Sequence, residues 1–287
     1  MYFIKIFILA CVQGLAELLP ISSSAHVILA EKAMGLDPTA PEMTLLLVML
    51  HTGTMFAVLV YFWKDWREHY FLDPGRSSAF LKQIFLATLA TGFLGEILKV
   101  LIEKVYLRGS DHAEVETLFG SSQLITFSLA AAGALILYAS LYKPKETDRK
   151  LGPAESLWIG LVQGLCLPFR GFSRSGATIS TGLILGIDRR KAEEFSFALA
   201  VVLTPALVWR EAHRLIKVQA AAGVPLSSMG HLFFPGLIGM FLSFGAGLLA
   251  LKWLSSWLEK GRWNYFGFYC LALAACVWFL GSQGIIK

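Results

Sequence analysis

Six stretches of this 287-residue sequence are apolar over about the length needed to cross a lipid bilayer. A transmembrane helix needs roughly 20 consecutive apolar residues. By this measure the sequence predicts full spans at residues 43–63, 81–102, 118–142, 195–216, 232–254 and 264–286. Charged residues make up only 16% of the chain, whereas a soluble domain carries about 25%. The chain is therefore predicted to be an all-α polytopic membrane protein.

A short polar phrase occurs twice, 150 residues apart, and each copy interrupts an apolar stretch. The first copy covers residues 12–26 and the second covers residues 162–178. Aligned without gaps, the copies match at Gln13 with Gln163, Gly14 with Gly164 and Ser23 with Ser173. Broken apolar segments at corresponding positions of two halves indicate where the functional site of a membrane protein lies.

The duplication predicts one integral membrane domain built from two repeats. Repeat one covers residues 1–142, a polar linker covers 143–152, and repeat two covers 153–287. Each repeat contains a broken segment followed by three predicted spans. Neither arm of a broken segment is long enough to cross the bilayer, and irregular backbone at membrane depth persists only where protein or a wet cavity surrounds it. We therefore expect two re-entrant helical hairpins and, because three crossings is an odd number, inverted topology. The two hairpins would then enter from opposite faces and meet near the midplane.

The basic residues of the predicted loops indicate the orientation of the chain. They concentrate on one side, in residues 64–82, 143–150, 188–193 and 252–262. The opposite side carries an acidic run in residues 111–116. By the positive-inside rule the basic side is cytoplasmic, so both termini and the mouth of the first hairpin would face outward. The net charge of +5 fits this distribution and gives no indication of a nucleic-acid partner.

Serines follow the helix breaks in both copies of the phrase. Pro20 cannot continue an incoming helix, and Ser22 or Ser23 is a good N-cap for the outgoing arm. Ser173 stands in the same relation to the second outgoing arm. The two breaks are therefore expected to direct two helix N-termini at one point. Free N–H groups and partial positive charge at such ends form an anion site that suits phosphate.

Charged and polar side chains add chemistry to this anion site. Arg174 offers a planar fork that binds phosphate oxygens bidentately, and Thr178 can donate a hydroxyl. Glu17 indicates a divalent-cation ligand or a base, although a structural ion pair with Arg174 is an alternative. His26 follows Ser23 by three residues and shares its helix face. That placement favours an acid–base or nucleophilic role over a structural one.

The residues leave the attacking group open. Ser23 could attack phosphorus after activation by His26, or His26 or Glu17 could activate water. The serines could instead serve close helix packing, which is common in membranes. His51 and Thr52 lie within a predicted span, where hydrogen bonding between helices is the favoured interpretation.

Three stretches match motifs of a known family. Residues 13–17 read as (Glu/Gln)xxxGlu, residues 20–26 as Pro-x-Ser-Ser-x-x-His, and residues 171–178 as Gly-Phe-Ser-Arg-Ser-Gly-x-Thr. These stretches resemble the undecaprenyl-diphosphate phosphatases, also called bacitracin-resistance proteins, and the likeness spans nearly the whole chain. The resemblance implies hydrolysis of undecaprenyl diphosphate to undecaprenyl phosphate and phosphate in the bacterial plasma (inner) membrane. It also implies a divalent cation (Mg²⁺ or Ca²⁺), recycling of the lipid carrier for peptidoglycan synthesis, bacitracin resistance and a possible homodimer.

The motif positions and the analysis of the breaks together give the candidate site residues. The catalytic candidates are Glu17, Ser23, His26 and Arg174, the substrate-binding candidates are Gln13, Ser22, Ser173, Ser175 and Thr178, and the metal-ligand candidate is Glu17. The chain departs from the family pattern at three places. Ser24-Ala25 stands where Thr-Gly is usual, Arg170 stands where Pro is more frequent, and Gln13 removes one possible metal-binding carboxylate.

Two other functions compete with the phosphatase. Inverted repeats with broken helices are also transporter architecture, so a secondary transporter or flippase for an anionic or polyprenyl-phosphate substrate is the alternative. A phosphatidic-acid-type phosphatase would need a second histidine after its Ser-Arg pair, and residues 179–187 contain none.

Overall fold

The computed structural model describes residues 2–36, 41–106, 108, 121–142, 151–221, 223 and 230–284. Regular structure in these ranges is helical throughout, which confirms the all-α prediction. The helices are α1 (Tyr2–Leu18), α2 (Ser23–Ala33), α3 (Pro41–Trp66), α4 (Pro74–Leu101), α5 (Ser122–Ser140), α6 (Pro153–Cys166), α7 (Arg174–Ile184), α8 (Arg189–Ala221), α9 (Gly230–Glu259) and α10 (Asn264–Ser282). Short π-helical turns extend α3 through Arg67–Phe71 and α4 through Ile102–Tyr106.

Six helices of the described chain are long and apolar enough to cross a membrane. They are Met43–Phe71, Pro74–Val105, Ser122–Ser140, Arg189–Lys217, Phe233–Glu259 and Asn264–Ser282. Each overlaps one of the six predicted spans, and several continue beyond the apolar run into charged residues. The prediction of a polytopic membrane protein is confirmed.

The described residues form two compact units. The first lies within Met1–Leu19, Ser23–Asp65 and Ala200–Leu254, and the second within Pro20–Ser22, Trp66–Leu199 and Ser255–Lys287. Each unit draws on both predicted repeats, so the units and the repeats are different divisions of the chain. Residues 143–150 of the predicted linker and the acidic run 111–116 lie outside the described residues. The repeat boundary and the inverted topology therefore stay predictions.

Close helix contacts in the first unit hold α1 and α3 against α9. A Cβ atom at Gly14 would lie 2.7 Å from the carbonyl oxygen of Ser243, and one at Gly53 would lie 2.2 Å from that of Met240. Small residues at such positions let helix backbones approach closely. The Ser243 hydroxyl also donates to the carbonyl of Leu50 at 2.8 Å. These contacts fix the positions of α1 and α3 along α9.

The second unit repeats this mode of packing between α6 and α4. A Cβ at Gly160 would lie 2.3 Å from the carbonyl oxygen of Ala87, and one at Gly164 would lie 2.7 Å from that of Thr91. Gly164 is the sequence counterpart of Gly14, so both copies of the phrase use this glycine for a close helix crossing.

The turn before α7 also depends on a glycine. Gly171 has φ of +101°, a left-handed conformation that L side chains rarely adopt. A Cβ there would also lie 2.8 Å from the carbonyl oxygen of Ile125. The indole N–H of Trp263 donates to the Ser180 hydroxyl at 3.0 Å and holds α7 from the side of α10. The start of α7 is thereby placed by rigid neighbours within the second unit.

Candidate active site

The Glu17 carboxylate is the centre of a polar cluster in the first unit. The Ser23 hydroxyl donates to Glu17 Oε2 at 2.5 Å, and Gln13 Nε2 donates to the same oxygen at 3.3 Å. His51 Nε2 lies 3.8 Å from that oxygen. Hydrogen bonds to a carboxylate are shorter and stronger than neutral ones, and 2.5 Å is at the short end for O–H···O⁻. Side chains from α1, α2 and α3 thus converge on one oxygen.

The local sequence explains how Ser23 reaches Glu17. Gln13 and Glu17 are one turn apart on α1, so they share a face. α1 ends at Leu18, and the break contains Pro20 and then Ser22, whose φ is +68°. Holding a residue other than glycine in this region costs about 1–3 kcal/mol, which is common at functional sites. The reversal packs α2 against α1 with Ser23 as the first residue of the outgoing helix.

The hydrogen bond of Ser23 indicates which of two candidate bases, Glu17 or His26, accepts its proton. A serine hydroxyl carries one proton, and here that proton is donated to Glu17. His26 is half-buried, one turn further along α2. Among the bases left open by the sequence, the geometry favours Glu17 as the group that receives the proton of Ser23. The catalytic role of His26 stays a prediction.

His51 has a placement that the sequence analysis missed. Its Nδ1 lies 2.8 Å from the carbonyl oxygen of Leu47 in its own helix, and its Nε2 faces Glu17. Thr52 likewise donates within its own helix, to the carbonyl of Val48 at 2.8 Å. The hydrogen bonds of both residues thus lie within α3, and His51 also approaches a second helix through Glu17. No local pattern distinguishes His51, because its proximity to Glu17 depends on the packing of α3.

In the second unit, Ser173 and Arg174 form the N-terminus of α7. The Ser173 side chain accepts a hydrogen bond from the Gly176 N–H at 3.2 Å, which confirms the predicted N-cap. Arg174 is the first residue of the helix and is half-buried. A cationic residue therefore begins the helix at the positive end of its dipole, a combination that can bind anions.

Thr178 lies one turn behind Arg174 and is fully buried. Its hydroxyl lies 2.9 Å from the Arg174 carbonyl oxygen and 2.6 Å from the hydroxyl of Ser196 on α8. These contacts fit a role in holding the first turn of α7 in place. Ser196 was not among the sequence candidates. Ser173 and Ser175 are also buried, and the substrate-binding roles of these residues and of Ser22 stay predictions.

The matched glutamines of the two phrases have different partners. Gln13 donates to Glu17. Gln163 is fully buried and donates to the Thr91 hydroxyl at 3.1 Å, between α6 and α4. The same local sequence therefore serves the polar cluster in the first unit and helix packing in the second.

The residues around Glu17 can be tested for their fit to a divalent cation. The described residues contain no group of three or more His, Cys, Asp or Glu side chains arranged to hold a metal ion. Calcium in an all-protein site takes 6–8 oxygen ligands, whereas Mg²⁺ is often held by one or two carboxylates with water and substrate phosphates completing the shell. Glu17 with the oxygens of Gln13 and Ser23 fits the second arrangement.

Comparison with known proteins places this site in a family. Residues 6–276 match the family model described as "Bacitracin resistance protein BacA". The chain belongs to the BacA family. The family resemblance of the motifs in both breaks is thereby confirmed. The matched region includes most of α1 and all of α2, α6 and α7, so the polar cluster around Glu17 and the N-terminus of α7 both lie within it.

Curated relatives of this BacA family chain are similar over nearly their full lengths. Undecaprenyl-diphosphatase 2 of Acinetobacter baylyi is 58% identical over 276 residues, which are 96% of each chain. An undecaprenyl-diphosphatase of Christiangramia forsetii is 34% identical over 273 residues, covering 94% of this chain and 96% of the relative. One from Bacteroides fragilis strain YCH46 is 31% identical over 290 residues, covering 99% of each.

Proposed function

We infer that this chain hydrolyses undecaprenyl diphosphate to undecaprenyl phosphate and inorganic phosphate. Membership of the BacA family and the names of its relatives support the substrate. The observation that carries the chemistry is the 2.5 Å hydrogen bond from the Ser23 hydroxyl to Glu17. A nucleophile within hydrogen-bond reach of a base is the arrangement that covalent catalysis requires. The product would serve again as the lipid carrier for peptidoglycan synthesis, in keeping with the bacitracin resistance in the family's name.

In the proposed reaction, Ser23 Oγ attacks the terminal phosphorus of the diphosphate as Glu17 takes the hydroxyl proton. A bond forms between Ser23 Oγ and phosphorus, the bridging P–O bond breaks, and undecaprenyl phosphate leaves with the bonding electrons. Water then attacks the phosphoserine and releases inorganic phosphate. Glu17 returns its proton to the Ser23 oxygen, which restores the starting state.

Arg174 and the N-terminus of α7 are proposed to bind the phosphate oxygens. The half-buried Arg174 at a capped helix end supports anion binding. That Arg174 and Ser23 serve the same diphosphate is inferred from the duplicated phrase of the sequence, in which Ser173 aligns with Ser23.

A divalent cation, Mg²⁺ or Ca²⁺, is proposed to bind at Glu17 together with diphosphate oxygens. When bound, such an ion neutralises charge that develops on the phosphoryl group. The single carboxylate supports an ion shared with the substrate over one held by protein alone.

An assay of phosphate release by the purified protein distinguishes a phosphatase from a lipid carrier. We expect protein in detergent with undecaprenyl diphosphate and Mg²⁺ to release inorganic phosphate, and the Ser140→Ala variant to match it. Ser140 is a suitable control because its hydroxyl donates to the carbonyl of Leu137 in its own helix. If the lipid instead crosses sealed vesicles in the presence of the protein without any phosphate release, the chain is a flippase and the phosphatase proposal is wrong.

We further propose the bacterial plasma (inner) membrane as the location, with the catalytic site open to the outer face. The six apolar helices support a multi-pass protein, and the loop charges support the orientation. Single cysteines at Asp111 and Lys145, both outside the described residues, test it in a background lacking the native cysteines. A membrane-impermeant thiol reagent should label position 111 in intact cells and spare position 145. The opposite pattern would reverse the orientation. Association into a homodimer stays a prediction.

A further inference from the structure

The imidazole of His51 is held in a defined orientation by its own helix. The Leu47 carbonyl oxygen can only accept a hydrogen bond, so His51 Nδ1, at 2.8 Å, is the donor. This contact directs Nε2 away from the helix axis and towards Glu17 Oε2, at 3.8 Å. The ring therefore packs one edge against the carboxylate, at a distance too long for a hydrogen bond, while the opposite edge is fixed.

Contacts with α9 fix the backbone of α3 just before and just after His51 in the sequence. Immediately before it, the Leu50 carbonyl accepts a hydrogen bond from Ser243. Two residues after it, Gly53 packs so closely on α9 that a Cβ would lie 2.2 Å from the carbonyl oxygen of Met240. His51 thus projects from a rigid segment, and a side chain on such a segment can hold another group in place.

We propose that His51 is a positioning residue that keeps the Glu17 carboxylate directed at Ser23. Glu17 has three rotatable side-chain bonds, and its side chain is 17% exposed, while that of His51 is 25% exposed. The carboxylate therefore borders accessible space rather than a close-packed core. Gln13 and Ser23 contact Glu17 Oε2 from α1 and α2, and His51 approaches the same oxygen from α3. This inference rests on the proposed function, because it assigns His51 to the base of that reaction.

The expected effect is on turnover and not on lipid binding. Misplacing a catalytic group by about 1 Å can lower a rate by about 10²-fold. In this proposal His51 acts on Glu17 and does not bind the lipid. His51→Ala should therefore lower kcat by about 10- to 100-fold and change KM less than about threefold. His51→Gln keeps a polar side chain that reaches towards Glu17. Its kcat should therefore lie at least half-way, on a logarithmic scale, from that of His51→Ala to that of the wild type.

The test is a measurement of kcat and KM for phosphate release by His51→Ala, His51→Gln and the control Thr52→Ala. Thr52 neighbours His51, but its hydroxyl donates to the carbonyl of Val48 in its own helix, so its removal should leave kcat near the wild-type value. A kcat of His51→Ala within twofold of wild type would overturn the inference while leaving the proposed function intact. Equal losses in His51→Ala and His51→Gln, or a rise in KM alone, would also overturn it. An inactive wild-type protein would instead contradict the proposed function itself.

Discussion

Arg174→Lys is expected to lower the turnover of undecaprenyl diphosphate by about 10²- to 10³-fold, equivalent to about 2.7–4 kcal/mol of transition-state stabilisation. Lysine keeps the positive charge at the start of α7 but loses the planar fork that binds two phosphate oxygens at once. The Ser173 cap does not involve the Arg174 side chain, so the helix should persist. Phosphate release by the purified variant, with helicity checked by circular dichroism, measures this effect.

Arg189→Lys provides a matched control for this experiment. Arg189 is also the first residue of a helix, and its guanidinium donates to the carbonyl of Glu259 at 3.2 Å. Its replacement should leave turnover within about twofold of wild type, as is usual for a surface change. Turnover of Arg174→Lys close to that of Arg189→Lys would mean that Arg174 contributes charge alone, and the bidentate role would be wrong.

Glu17→Gln is expected to lower turnover by about 10³-fold, within the range of 10²–10⁴ for the loss of a general base. The amide has nearly the shape of the carboxylate but cannot take the proton of Ser23. If Glu17 also binds the cation, raising the Mg²⁺ or Ca²⁺ concentration should recover part of the loss, because the amide oxygen is a weaker ligand. Phosphate release is therefore measured over a series of metal concentrations.

The metal series separates the two roles of Glu17. A deficit that does not change with added metal would leave Glu17 as a base and contradict its assignment as a ligand. Turnover within tenfold of wild type would contradict the base. Glu211→Gln is the control, because Glu211 pairs with Arg210 on α8, and its change should have little effect on phosphate release.

Local features of the chain could be predicted because adjacent residues determine them. The six spans follow from continuous apolar runs, the first break from Pro20, and the cap of α7 from Ser173. In each case the preference is expressed within a few residues, by hydropathy, by a missing N–H or by a side-chain oxygen near free N–H groups.

The contacts that complete the polar clusters could not be predicted in this way. His51 meets Glu17, and Ser196 meets Thr178, only through the packing of helices that are distant in sequence. Gln163 is a second example of a contact that local sequence does not predict. It repeats Gln13 in sequence but donates to Thr91. Which side chain faces which depends on helix contacts such as that of Gly53 on Met240, and neither local phrase specifies that register.

The most direct test of the proposed reaction is whether phosphorus is transferred to Ser23. Wild-type protein is mixed with undecaprenyl diphosphate labelled in its terminal phosphate, quenched in acid within the first turnover, and digested for mass spectrometry. We predict an acid-stable phosphoryl group on the peptide that contains Ser23, and no phosphate release above background by the Ser23→Ala variant. An unlabelled peptide, together with phosphate release by Ser23→Ala within tenfold of wild type, would show that water attacks phosphorus directly and would contradict the account.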